Sequence, residues 1–217
     1  MSMAHDRETF IRIYLNGRGI ATPSFIPPGF STYVQVEGLG DRVEGKARPG
    51  HFRGVCTVVL KLLQIVQPHF AYFGRKDAQQ ARIVQQMARD LNLDTEIVVC
   101  PIVREPDGLA LSSRNAYLSA EERKAATVLY NALLAAKQAL SKGTRDSEEL
   151  QRSVHKILAG ESLARVDYVE IVNADTFEPV VRTAQRCYIL LAVRVGKTRL
   201  IDNLLIEPQG QDLQVEL

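Results

Sequence analysis

The feature that most constrains the fold is a regular alternation of helix and strand patterns between residues 54 and 100. Apolar side chains recur with helical spacing across residues 54–67 and again across residues 77–91. Each helical stretch is followed by a short apolar run, at residues 69–73 and 95–100, that shows little polar alternation. Strands of this kind are typical of parallel sheets covered by helices on both faces. We therefore predict a doubly wound α/β sheet for the front of the chain.

Two further helices are predicted after residue 101, where the chain becomes more polar. One begins at Ser119, whose spacing to Glu122 matches a capping box, and extends to Leu140. The other covers residues 147–158 and has an amphipathic pattern. Helices that precede all the remaining strand candidates indicate an α+β arrangement in this half of the chain.

Three strand patterns complete the chain, and a hairpin is predicted between the last two. They cover residues 166–172, 187–195 and 198–206. Gly196 and Lys197 form the kind of two-residue connection that β-hairpins use. We predict a first domain over residues 1–103 and a small α+β domain over residues 104–217.

Composition and charge exclude several functional classes. The 27 Lys and Arg residues nearly balance the 25 Asp and Glu residues, giving a net charge of +2, and no basic stretch carries interleaved aromatic residues. We therefore expect no nucleic acid partner. No apolar run approaches the length of a membrane span, so we expect no membrane partner. Acidic residues near the N-terminus occupy positions where a signal peptide needs an apolar core, which favours a cytoplasmic protein.

The turn at residues 73–80, FGRKDAQQ, follows a predicted parallel strand, where open α/β sheets bind ligands. Gly74 allows a ligand to approach the backbone, and Lys76 brings positive charge to a helix N-terminus. Asp77 can accept hydrogen bonds from ribose hydroxyls, and Gln80 can bind a small polar substrate. A structural alternative is that Asp77 caps the helix with Gln80 as its capping partner. For this motif alone, the structural alternative is favoured.

The loop at residues 111–115, LSSRN, combines two hydroxyls with a guanidinium. Such groups can hold a triphosphate and neutralise the charge that builds on departing pyrophosphate. The alternative is a hydrophilic loop ahead of the helix at Ser119. A third cluster, RPGHFRG at residues 48–54, places His51 and two arginines at a turn where they can face an anion, although a lone histidine is more often structural.

Four short motifs are more specific together than apart. In chain order they are EGKARPGHFRGV at residues 44–55, FGRKDAQQ at 73–80, DGLALSSRN at 107–115 and LIDN at 200–203. They resemble the segments EG..RPGHFRGV, FGEKD.QQ, DGLA.SSRN and LIDN of the pantothenate synthetases, or pantoate–β-alanine ligases. The third segment is the family's counterpart of the mobile signature loop of class I aminoacyl-tRNA synthetases. The resemblance extends from about Gly29 to Glu207, which is most of the chain.

The resemblance implies an ATP-dependent ligase that joins pantoate to β-alanine. In such enzymes the pantoate carboxylate attacks ATP to give pantoyl adenylate and pyrophosphate, and β-alanine then displaces AMP. Mg²⁺ accompanies the ATP, and family members commonly form homodimers. The implied fold is an incomplete Rossmann-like parallel sheet of the nucleotidyltransferase type, which binds nucleotide and pantoate, followed by an α+β lid domain.

The resemblance also assigns roles to residues at matching positions, and none of them is a metal ligand. The implied ATP site comprises Gly74, Arg75, Lys76, Asp77, Val103, Leu111, Ser112, Ser113 and Arg114. Within it, the phosphate-binding groups implied to be catalytic are Lys76, Ser112, Ser113 and Arg114. Gly74 and Asp77 are implied to meet the ribose, and the backbone of Val103 the adenine. The implied pantoate site comprises Gln80 and the apolar wall of Phe73.

Two departures from the family pattern bear on activity. Arg75 stands where the family usually has Glu, and we expect its side chain either to face solvent or to strengthen anion binding. The 217 residues contain no HxGH motif, whose two histidines stabilise the charge that develops on ATP, and they lack the family's second pantoate-binding glutamine. Loss of one such donor typically lowers the rate by about 10²–10³. We therefore predict very low activity for this chain alone.

Two alternative functions remain open. One is a non-catalytic fragment or degenerate paralogue with residual ATP binding. The other is a different adenylate-forming enzyme of the nucleotidyltransferase superfamily, which the narrower PGHFRGV and LIDN motifs disfavour. A parallel sheet without its first strands exposes an edge and apolar helix faces, which either the N-terminal residues or a second chain would cover. Because members of the family that the motifs resemble commonly form homodimers, we expect self-association.

Overall fold

The computed structural model describes residues 36, 38–209 and 212–217, so residues 1–35 and 37 of the predicted first domain lie outside the described part. The helices are α1 (Glu44–Ala47), α2 (His51–Val66), α3 (Ala78–Asp90), α4 (Ala120–Ala125), α5 (Val128–Ser141) and α6 (Ser147–Leu158). The strands are β1 (Phe70–Gly74), β2 (Glu96–Cys100), β3 (Ala164–Asn173), β4 (Cys187–Val195), β5 (Thr198–Gln209) and β6 (Asp212–Glu216). Short 3₁₀ helices cover Arg75–Asp77 and Ser113–Tyr117.

The alternation of helices and strands predicted for the front of the chain is confirmed. β1 and β2 pair in parallel, with Phe70 opposite Glu96 and Gly74 opposite Cys100. α2 is followed by Gln67 in the left-handed conformation, immediately before Pro68, which lacks the N–H that a helix requires. The α/β class is therefore confirmed. The Rossmann-like type and the domain division at residues 103 and 104 remain predictions.

A separate antiparallel sheet has the strand order β3-β4-β5-β6. The predicted hairpin is confirmed, because Val195 lies opposite Thr198 across a two-residue turn. β6 adds a strand that the sequence analysis did not predict. Its apolar Leu213 and Val215 alternate with polar residues over only five positions, which is too short a pattern to identify a strand.

β4 lies between two hydrophobic cores. Successive side chains of a strand point to opposite faces, so Ile189 and Leu191 pack with α5 and α6, whereas Tyr188 and Leu190 pack with α3. The first core includes Leu129, Leu133, Leu150, Val154, Ile189 and Leu191. The second includes Ile83, Val84, Met87, Phe177, Tyr188 and Leu190. Burial on both faces explains why β4 is apolar at nearly every position.

The single helix predicted over residues 119–140 is wrong, because the structure divides it into α4 and α5. The predicted capping box is present, with the Ser119 hydroxyl and the Glu122 carboxylate each accepting from the other's backbone N–H. At the break, the Thr127 hydroxyl donates to the Lys124 carbonyl at 2.8 Å, a local bond that competes with regular helix. The short α4 directs Arg123 toward the polar loop that precedes it.

Glu44 joins α1 to the antiparallel sheet. Its carboxylate is nearly buried and accepts two hydrogen bonds from Arg199, at 2.7 and 2.9 Å, and one from the Tyr168 hydroxyl at 3.1 Å. Arg199 also donates to Asp167 at 2.7 Å. Burial opposes ionisation of Glu44, but Arg199, Tyr168 and Arg48 outweigh it and hold the pKa of Glu44 below its usual range.

We expect Glu44→Gln to destabilise the fold by about 2–3 kcal/mol, because Arg199 loses a buried counter-charge but keeps Asp167. The pKa of Glu44 is lower in the folded than in the unfolded chain, so its stabilisation is complete above about pH 4.5 and is lost as the pH falls further. The variant should therefore lose this part of the acid sensitivity. Urea unfolding between neutral and acid pH measures both effects.

The matched control is Glu96→Gln, which removes an exposed carboxylate on β2. Equal destabilisation in the two variants, or an unchanged acid profile in Glu44→Gln, would contradict the assignment.

Candidate functional site

The turn after β1 leaves two predicted binding side chains available. Asp77 occupies the N-cap position of α3, but its carboxylate accepts no bond from the helix, so the capping alternative is wrong. In the described part of the chain, the Gln80 side chain has no hydrogen-bond partner. A Cβ added at Gly74 would meet no atom within 4 Å, so there is open space beside the backbone at this strand end.

Asn203 of β5 fixes this turn through hydrogen bonds to its main chain. Its side chain is 1% exposed, and its amide Nδ2 donates to the carbonyl of Arg75 at 2.9 Å and of Lys76 at 3.0 Å. The Lys76 ammonium lies 3.8 Å from the Asp77 carboxylate. The turn that carries the predicted phosphate-binding lysine is therefore attached through its main chain to the antiparallel sheet.

The Arg75 side chain does not face solvent, although that was one of the two expectations for it. Its side chain is buried and forms an ion pair with Glu216 of β6. The solvent-facing alternative is therefore wrong, and the role of Arg75 at the ATP site remains a prediction.

Asp202, next to Asn203, fixes the loop that contains Arg104 and Gly108. Arg104 donates to its two carboxylate oxygens at 2.7 and 2.9 Å and to the Gly108 carbonyl at 2.9 Å. The guanidinium also lies 5.0 Å from the centre of the Tyr130 ring. Gly108 has a φ of +90°, and a Cβ there would lie 2.1 Å from the same ring, so only glycine fits. Burial raises the pKa of Asp202, and Arg104 opposes that shift.

Residues 111–115, called the serine–arginine loop from here on, follow the segment that Arg104 and Asp202 fix. Most of the predicted binding groups in this loop are exposed. The Leu111 N–H donates to the Val103 carbonyl at 2.9 Å, and both side chains are largely exposed. The Ser112 hydroxyl accepts from the Arg114 N–H at 3.2 Å. For Ser113 and Arg114, no side-chain partner occurs among the residues that the structure describes. These groups are therefore available to a ligand.

The base of the loop is fixed by a network of polar side chains. Asn115 donates to Glu105 at 2.7 Å, and Arg123 pairs with Glu105 at 2.6 Å and with Asp107 at 2.7 Å. The Arg123 guanidinium lowers the pKa of both carboxyls and its own pKa is raised in return. Residues 105 and 107 therefore stay ionised and hold the loop to α4 at neutral pH.

His51, the first residue of α2, contacts Arg48 of the preceding segment. Its Nε2 is 3.0 Å from the Arg48 guanidinium, which can only donate, so the proton of the neutral ring is on Nδ1. Burial and the charge of Arg48 lower the pKa of His51, so the ring is neutral at physiological pH. Asp77 and Arg114 both influence its ionisation. The charges of Asp77 in the turn and of Arg114 in the serine–arginine loop therefore both act on the His51 imidazole.

Phe73 has a different environment from the exposed groups. It is partly buried and packs against the core that contains Met87 and Tyr188. The contacts of Phe73 and Gln80 with pantoate remain predictions.

Sequence reasoning missed the residues that hold the site together. The motifs give no role to Arg104, Glu44, Asp202 or Asn203, although Glu44 lies in EGKARPGHFRGV and the last two lie in LIDN. Two polar residues, Asp202 and Asn203, within the apolar stretch of β5 are the pattern that could have identified them, because buried polar groups need specific partners.

The described residues also bear on metal binding and on membrane insertion. No group of three or more His, Cys, Asp or Glu side chains among them is arranged to hold a metal ion. None of the helices in that part of the chain combines the length and apolar character needed to cross a membrane.

The fold and the site define a mixed α/β protein with an open strand-end turn and a polar serine–arginine loop, both attached to one antiparallel sheet. A sequence profile of the pantoate-beta-alanine ligase family matches residues 10–205. The match begins earlier than Gly29, where the resemblance of the motifs began. The chain belongs to the pantoate–β-alanine ligase family.

Individual relatives agree with this assignment. The chain is 55% identical over 181 residues to a pantothenate synthetase of Caldicellulosiruptor saccharolyticus and 52% identical to one of Roseiflexus sp., covering 83% of this chain in both cases. It spans 64% of the length of the first relative and 65% of the second. The chain thus corresponds to about two-thirds of these proteins.

Solved structures show the same similarity. The crystal structure of pantothenate synthetase from Thermus thermophilus has a TM-score of 0.76 at 48% identity, covering 82% of this chain and 64% of that one. A pantoate-beta-alanine ligase from Francisella tularensis, complexed with beta-gamma ATP and beta-alanine, has a TM-score of 0.59 at 35% identity, covering 82% and 59%.

If the turn binds ATP phosphates, as the motif resemblance implies, Asn203→Ala should weaken ATP binding by about tenfold, because the carbonyls of Arg75 and Lys76 lose their donor and the Lys76 turn is released. Adenosine binding should weaken much less, since adenosine does not use the phosphate side. Calorimetric titrations with ATP and with adenosine measure the difference.

Asn131→Ala, on the exposed surface of α5, is the control. If Asn203→Ala weakened the binding of ATP and the binding of adenosine equally, Asn203 would have a general structural role and its positioning role would be refuted.

Proposed function

We propose that the chain is a pantothenate synthetase that condenses pantoate with β-alanine at the expense of ATP. The observation that carries the proposal is the joint anchoring of the turn at residues 74–80 and the serine–arginine loop by adjacent residues of β5. These two segments are the ones that the family resemblance assigns to ATP. The beta-gamma ATP and beta-alanine in the complex of the Francisella relative support the same substrates for this chain.

The proposed reaction has two steps. A pantoate carboxylate oxygen attacks the α-phosphorus of ATP, and the bond to pyrophosphate breaks, giving pantoyl adenylate. The β-alanine amine then attacks the acyl carbon, loses a proton, and AMP departs as pantothenate forms. The protein contributes positioning and charge stabilisation in both steps.

The proposed roles of the available side chains follow from their chemistry. Lys76 and Arg114 supply positive charge to the phosphates, and Ser112 and Ser113 supply hydroxyl donors. The main chain of Val103 receives the adenine; in the described part of the chain its N–H donates to no acceptor.

The remaining contacts concern the sugar, pantoate and the metal. Gly74 and Asp77 meet the ribose, while Gln80 and Phe73 bind pantoate. Mg²⁺ enters with ATP as part of the substrate, bound chiefly by phosphate oxygens.

The HxGH motif and the second pantoate-binding glutamine are missing from these 217 residues, so we propose that the chain alone turns over slowly. The test is pantoate-dependent AMP formation on addition of β-alanine, using the chain alone and the chain mixed with the part of the Caldicellulosiruptor relative that it does not cover. We expect a rate at least about 10² higher in the mixture. AMP at ordinary enzyme rates from the chain alone would refute the impairment. If neither the chain alone nor the mixture formed AMP although ATP still bound, the non-catalytic alternative would be favoured.

Two substitutions test the assignment of the phosphate groups. Lys76→Ala and Arg114→Ala should each weaken ATP binding by about tenfold or more, because each removes a charge-assisted contact. Lys142→Ala, at the exposed end of α5, should leave ATP binding unchanged. Unchanged ATP affinity in both site variants would refute their phosphate roles.

We also propose that the chain self-associates, as a homodimer in the simplest case. Phe70 and Tyr72 of β1 are 53% and 69% exposed, and Val58, Ile65 and Val66 of α2 are also exposed. An apolar surface of this kind favours association. Light scattering should report a species larger than 24.2 kDa, and Tyr72→Lys should shift it toward monomer. A monodisperse wild-type monomer would contradict the proposal.

A further inference from the structure

A cavity of about 560 Å³ opens beside the serine–arginine loop, and the roles proposed above account for only one of its cations. Its volume is typical of sites for small molecules. Four of its six lining residues are cationic, and they come from three separate parts of the chain: the segment before α2, the loop before α4 and the β4–β5 hairpin. The lining residues are Arg48, Arg114, Tyr117, Lys197, Thr198 and Arg199.

The positive charge of this cavity is only partly neutralised. Arg199 is paired with both Glu44 and Asp167, and Arg48 lies 3.5 Å from the same Glu44 carboxylate. Neither Arg114 nor Lys197 has a carboxylate partner among residues 36, 38–209 and 212–217. Four cations facing one space therefore share two carboxylates. Their unbalanced charge favours an anion in the cavity.

We propose that this cavity binds pyrophosphate, both as the terminal part of ATP and as the released product, with Lys197 and Arg48 acting beside Arg114. The proposal rests on the function proposed above and adds residues to it. A pyrophosphate group carries several negative charges and many acceptor oxygens, which match several cationic donors better than a single carboxylate does.

The position of the cavity supports this occupant. Arg114 belongs both to the cavity and to the loop assigned to the phosphates. His51, whose Nε2 is engaged by Arg48, keeps its Nδ1–H in the same region as an additional neutral donor. A polyphosphate bound by Arg114 would therefore extend into the cavity.

Lys197 provides the sharpest test, because its exposed side chain has no partner in the described part of the chain and its removal should not disturb the fold. Inorganic pyrophosphate is titrated calorimetrically in low salt into the wild-type chain, Lys197→Ala and Lys197→Glu. We expect about five- to tenfold weaker binding for Lys197→Ala and a larger loss for Lys197→Glu. Lys156→Ala, an exposed lysine of α6 outside the cavity, is the matched control and should bind as the wild type does.

Three results would overturn the proposal: no pyrophosphate binding in low salt, the same affinity in both Lys197 variants as in the wild type, or displacement of pyrophosphate by β-alanine and not by ATP. The last result would assign the cavity to a carboxylate.

Adenosine and ATP titrations separate this proposal from the proposed function. If ATP binds normally and Lys197 has no effect, the cavity assignment fails and the ligase function stands. If pyrophosphate binding depends on Lys197 but neither adenosine nor ATP binds, the anion site stands and the ligase function fails.

Discussion

The site depends on two neighbouring residues of one strand, Asp202 and Asn203. Successive side chains of a strand point to opposite faces, so Asp202 reaches Arg104 on the face covered by α5, and Asn203 reaches the turn before α3 on the other face. Their cross-strand partners, Leu191 and Leu190, lie in different cores. The spacing between the two loops is therefore set by one peptide unit within a buried sheet, a far more rigid reference than either loop provides.

The contacts made by Asp202 and Asn203 fix the geometry of the site more than they stabilise the fold. A buried ion pair such as that of Arg104 with Asp202 loses much of its Coulombic gain to desolvation. What makes it specific is that the guanidinium is oriented by three partners at once: the carboxylate, the Gly108 carbonyl and the Tyr130 ring. A shift of the loop would break several of these contacts together. The arrangement therefore holds the base of the serine–arginine loop while leaving Ser113 and Arg114 exposed.

Much of the fold could be predicted from local patterns, whereas the support of the site could not. Helical spacing, apolar runs and the Ser119–Glu122 box predicted most elements, because those interactions lie within a few residues of one another. Arg104 and Asp202 are separated by 98 positions, and Glu44 and Arg199 by 155. No periodicity encodes such pairings. The break between α4 and α5 has a local cause, the Thr127 hydroxyl bonded to the Lys124 carbonyl, but apolar helical spacing continues across it and so predicted one helix.

The cations of the chain fall into two groups by whether they have a carboxylate partner. Arg75, Arg104, Arg123 and Arg199 are each paired, and each holds a loop or segment in place. Arg114 and Lys197 have no such partner in the described part of the chain, and both face the cavity. This division explains how Arg75 is accommodated where the family usually has Glu. Glu216 of β6 pairs with the Arg75 guanidinium, so these two side chains together add no net charge beside Lys76.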